Sequence, residues 1–212
     1  MAVLSDEVAR LPRARQLRQP GLVTICLINA AIIVLWFTGA ASTVAVEDGV
    51  LETLQLLVAA GACALFLFAA FEDDGPVGTA GAAISAIAAI AVVREIDVRN
   101  MVVPDWMMIW AHGPFRDTTV IILLALILAY LWWRREHFQG WLRLLLRMAA
   151  WPFWLSGVLL TSSLAFDGEK LIAGPPGVMV EELIELNGLM LLLMAGFRHC
   201  RLLRDKNWVD RR

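Results

Sequence analysis

The apolar residues of this chain come in blocks of membrane-spanning length, separated by short charged stretches. A helix that crosses the hydrocarbon core needs ~20 such residues, and ~17 are tolerated. Six blocks qualify, at 21–43, 50–71, 77–95, 118–133, 149–166 and 181–199. Lipid offers no water to the backbone, so blocks of this kind must satisfy their own N–H and C=O groups as helices. The expected fold is all-α: a polytopic membrane helix bundle of about six transmembrane helices. A basic N-terminal segment (1–20) precedes a six-helix transmembrane domain (21–199), and a basic tail (200–212) follows it. Hydrophobic residues make up 59% of the chain, against roughly 45–50% in soluble domains. That excess leaves little room for a separate soluble domain.

The first block is longer than the core of a signal peptide and long enough to span, so it reads as an uncleaved first span. Lys and Arg orient the bundle, because they accumulate in cytoplasmic loops. Four lie in 1–20, four in 134–147 and six in 198–212, all on one side if the spans alternate. Only Arg94, Arg99, Arg116 and Lys170 fall on the other. The bias predicts that both termini are cytoplasmic (N-in/C-in), with the protein in a bacterial inner (plasma) membrane. The net charge of −2 gives no basic field for nucleic acid.

Span 77–95 is rich in Ala and Gly, which let helix backbones approach closely, so it is expected inside the bundle. Residues 138–147 form an amphipathic run, with Arg143 and Arg147 one turn apart, and read as a helix lying in the membrane interface. Cys26, Cys63 and Cys200 are odd in number and widely scattered, so they form no disulfide framework. No internal repeat is visible.

The acids are distributed unevenly. Twelve of the 20 fall on the predicted outer side. Glu52 and Gln55 share a face near the start of the second span, as do Glu182 and Glu185 near the start of the sixth. Glu52, Glu181 and Glu182 are expected close to helix N-termini, where the dipole favours a carboxylate by ~0.3–1 kcal/mol. Glu185 lies a turn deeper, where an ionised group costs ~2–3 kcal/mol unless it is paired or lines a polar cavity. Glu95 and Asp97 close the third span, at the helix end that disfavours anions; Arg94 and Arg99 can neutralise them. The loop 96–117 adds His112, the one histidine on the outer side.

Acids from three spans at one depth must protonate, pair or bind a cation. Oxygen ligands with at most one imidazole suit a hard or borderline divalent metal ion. The expected metal ligands are Glu52, Glu95, Asp97, Glu182 and Glu185, with Glu185 or His112 as general acid or base. The corresponding function is a divalent-metal-dependent enzyme acting at the outer face on a lipid or lipid-linked substrate. Two alternatives stand beside it. One is a non-catalytic accessory or assembly subunit that contacts a partner membrane subunit. The other is a transporter of a cation or cationic solute, against which the near absence of polar residues in spans three and four weighs. No His-Glu-x-x-His, Gly-x-Ser-x-Gly or P-loop motif is present.

Overall fold

The structure, a computed structural model, describes residues 18–40, 50–95, 113–146, 150–163, 165–166 and 174–209. All regular structure among these residues is helical. Among the described residues three helices are long and apolar enough to cross a membrane: Pro20–Thr38, Val50–Glu72 and Pro76–Val93. A fourth joins them if the bent pair Thr118–Trp133 and Arg135–Leu146 is one span. The protein is thus a helical, membrane-associated chain. Of the two remaining expected spans, 149–166 is represented by a helix of 13 residues, Trp151–Ser163. At 1.5 Å per residue that is roughly 20 Å, short of a ~30 Å hydrocarbon core. The other, 181–199, lies within the 35-residue helix Pro175–Val209, which runs on through the expected tail rather than ending before it.

The chain divides into two compact units, Met1–Val44 and Ala45–Arg212. In the first, α1 (Arg18–Leu35) continues as a π-helical turn, Trp36–Ala40. Its polar side chains are satisfied by their own helix: Thr24 Oγ1 donates to Pro20 O at 2.9 Å and Asn29 Nδ2 to Ile25 O at 2.8 Å. Leu22, Val23, Leu27, Ile33 and Val34 are exposed around it. An apolar circumference of this kind suits lipid contact.

The second unit contains α2 (Val50–Glu72), α3 (Pro76–Glu95), α4 (Gly113–Trp133), α5 (Phe138–Leu146), α6 (Trp151–Ser163) and α7 (Pro175–Val209). Helix α7 is the hub, packed on α2 and α6, and α3 packs on α2. Ala62, Phe66, Ile84, Ala88, Leu192 and Ala195 form the core where α2, α3 and α7 meet. Lipid is as apolar as leucine, so close packing and interhelix hydrogen bonds, rather than water exclusion, hold such a core. Gly81 shows how tight it is: a Cβ there would stand 2.8 Å from the carbonyl oxygen of Phe66 on α2. The small residues of the third block serve this approach, as expected. Its two uncharged polar residues, Thr79 and Ser85, also join helices or close turns. Ser85 Oγ donates to Cys63 O at 3.1 Å, and Thr79 Oγ1 to Gly75 O at 3.0 Å.

The α2–α3 turn is set by local chemistry. Pro76 opens α3, where its missing N–H costs nothing, and Asp73 Oδ2 accepts the backbone N–H of Gly78 at 2.9 Å. The carboxylate also faces the positive end of the α3 dipole. Because α2 and α3 are antiparallel, this turn lies at the opposite end of the bundle from Val50. Helix α7 runs parallel to α2: Glu182 meets Gln55, while Gly196 and Cys200 meet Leu65. Helix α6 runs antiparallel to α7, with Ser163 against Glu185 and Trp151 near Arg198.

Candidate functional site

These directions bring the start of α2, the end of α6 and the early turns of α7 to one end of the bundle. The polar residues there include Glu52, Gln55, Ser163, Glu182 and Glu185. Gln55 and Ser163 are 0% exposed and Glu185 is 5% exposed. Glu52 stands in the first turn of α2, half-buried, where the helix dipole favours it as expected.

The acids of α7 do not owe their stability to the dipole. The helix begins at Pro175, six residues before Glu181, and its first turn carries no acid. The dipole fades within that turn, so the sequence expectation for Glu181 and Glu182 is corrected by the earlier start of the helix. Side-chain hydrogen bonds take over. Gln55 Nε2 donates to Glu182 Oε2 at 2.6 Å and lies 3.0 Å from the Glu182 carbonyl oxygen. Both neighbours only accept, which fixes the amide orientation. The amide oxygen, Oε1, is thereby turned the other way. It is buried, and no donor reaches it among the described residues. An unsatisfied buried acceptor costs about 1–3 kcal/mol, so the place beside it favours a donor or a cation.

One turn along α7, Glu185 is held from α6. Ser163 Oγ stands 2.9 Å from Glu185 Oε1 and 2.9 Å from its own-helix carbonyl Leu160 O, so the hydroxyl hydrogen is shared between two acceptors. Asn187, the amide near this depth, is occupied locally and donates to Leu183 O at 2.6 Å. Glu182 and Glu185 therefore reach different partner helices from neighbouring turns of the hub.

Three of the five expected metal ligands, Glu52, Glu182 and Glu185, are gathered at this end. Glu95 is the last residue of α3, but its side chain, like all of Asp97 and His112, lies outside the described residues. Among the described residues no group of three or more His, Cys, Asp or Glu side chains is arranged to hold a metal ion. The sequence points to Gln55 through its spacing from Glu52, and no local pattern singles out Ser163. What makes Ser163 part of the site is its contact with Glu185, 22 residues away in the chain.

Cys63, Cys200, His137 and His199 sit elsewhere in the second unit. Cys200 Sγ donates to Leu65 O at 3.2 Å. His199 lies 2.8 Å from Val77 O through Nε2, which must carry the hydrogen because a carbonyl only accepts. Its ring packs on Phe66, toward the end of the bundle opposite Glu182 and Glu185. The chain matches no protein-family model, no curated protein and no solved structure.

Proposed function

We propose that this protein is a six-span, inner-membrane protein with cytoplasmic termini whose activity resides at the carboxylate-bearing end of the α2–α6–α7 bundle. In this reading it is a divalent-metal-dependent enzyme that acts on a lipid or lipid-linked substrate from the outer leaflet. The observation that carries the proposal is Glu185, a residue only 5% exposed, standing one turn beyond Glu182 where the apolar run of the hub begins, and hydrogen-bonded by the fully buried Ser163. Placing an ionisable group among spanning helices costs several kcal/mol, and chains that do so generally use the group. Glu182 and the buried, unsatisfied Oε1 of Gln55 are hard oxygen ligands of the kind a divalent cation takes. Glu185 acts as general acid or base, with Ser163 fixing its orientation. Glu52, Glu95, Asp97 and His112 complete the candidate set.

A second reading is favoured by one feature of the same site. The bonds of Glu182 to Gln55 on α2 and of Glu185 to Ser163 on α6 both join two helices. Acids used as clasps suit an accessory subunit that assembles with a partner membrane protein. Elemental analysis of the purified wild type beside Glu182→Gln and Glu185→Gln separates the two. The enzyme reading expects stoichiometric divalent metal in the wild type, lost from Glu182→Gln. Metal-free wild type that co-purifies with a fixed partner favours the accessory subunit.

A further inference from the structure

At the opposite end of the bundle, α4 finishes in exposed Trp132 and Trp133. Tryptophans at the end of an apolar helix mark the level of the membrane–water interface. The chain then turns through 71° into the segment Arg135–Leu146. A helix at that angle to a spanning one runs close to the membrane plane. It is also fixed in place. Arg134 donates to the carbonyl of Asp74, Gly140 stands against Pro76 with no room for a Cβ, and Trp154 Nε1 donates to Leu145 O.

These tethers leave one face of α5 uncovered. Phe138, Gln139, Arg143 and Leu146 are exposed, Leu146 at 68%. On a helical projection Phe138, Leu142 and Leu146 form an apolar stripe, and Gln139 and Arg143 border it. Arg135 is exposed just before the helix, its guanidinium 5.5 Å from the ring of Trp132. Residues 134–146 hold three arginines and a single acid, Glu136.

We propose that α5 is an interfacial helix that binds anionic phospholipid. Its leucine stripe enters the boundary between headgroups and acyl chains, and Arg135 and Arg143 engage headgroup phosphates. An apolar face bordered by arginine at interface level is complementary to such a surface and to little else. The tethers to α3 and α6 also place this contact on the bundle itself, so lipid charge acts on the packing of α5 against the α2–α3 turn.

The test uses full-length protein in mixed nanodiscs of phosphatidylcholine and phosphatidylglycerol, with retained lipid counted by native mass spectrometry. Wild type should retain phosphatidylglycerol selectively. Arg135→Gln and Arg143→Gln should each weaken that retention about fivefold, as expected for one basic residue at a charged surface. Leu146→Gln should loosen both lipids alike. All three side chains are exposed, so the fold tolerates the changes. Equal retention of the two lipids by wild type, or unchanged selectivity in the arginine variants, overturns the proposal.

Discussion

Ser163 on α6 and Glu185 on α7 are joined by a 2.9 Å hydrogen bond between two side chains that the fold almost completely encloses. The neighbouring Ser162 provides an internal control, because its hydroxyl bonds the carbonyl of Leu159 in its own helix at 2.8 Å. Side-chain hydrogen bonds between membrane helices average ~0.6 kcal/mol, and bonds to charged acceptors reach ~1.5–3 kcal/mol. Ser163→Ala should therefore destabilise the bundle by about 1 kcal/mol, and Ser162→Ala by a few tenths at most. Reversible unfolding in mixed micelles, read by circular dichroism, makes the comparison. Equal losses from the two variants would show that the link to Glu185 contributes nothing.

Two glycines should respond to alanine in opposite directions. At Gly81 the new methyl meets the Phe66 carbonyl at 2.8 Å, so α2 and α3 must separate, at a cost of about 1–3 kcal/mol. At Gly157 nothing lies within 4 Å, and alanine gains ~0.5–1 kcal/mol of helix propensity. The same unfolding assay reads both. A stabilised Gly81→Ala would be incompatible with the close approach of the hairpin.

Asp73 caps α3 through the Gly78 N–H. Asp73→Ala should cost ~1 kcal/mol, while Asp73→Asn, which keeps the acceptor, should cost less than half of that. Faster amide exchange in the first turn of α3, measured by mass spectrometry, is the matching local signature. Unchanged exchange there would mean that the turn is held by other contacts.

Much of this architecture was legible in the residues. Apolar block lengths gave the membrane helices α1, α2 and α3, and the Ala/Gly content of 77–95 gave its packed position. Amphipathic spacing gave α5, because period and charge are local signals. The extent of α7 was not legible: Pro175 and Pro176 start the helix before the hydrophobic block, so the acids at 181 and 182 sit past its first turn. Gln55 was visible as a polar residue in step with Glu52. Ser163 was not, because its role depends on α6 lying antiparallel to α7, and no local pattern encodes that pairing.

The reading of Glu182, Gln55 and Glu185 as a cation-handling site is tested most directly by calorimetric titration of purified full-length protein with divalent cations. The account predicts saturable one-to-one binding. Removing the amide oxygen in Gln55→Leu, or the charge in Glu182→Gln, should weaken it at least about tenfold, as expected from the loss of ~1.4 kcal/mol or more per oxygen ligand. An absence of saturable binding by the wild type, or isotherms unaltered by both substitutions, would contradict it.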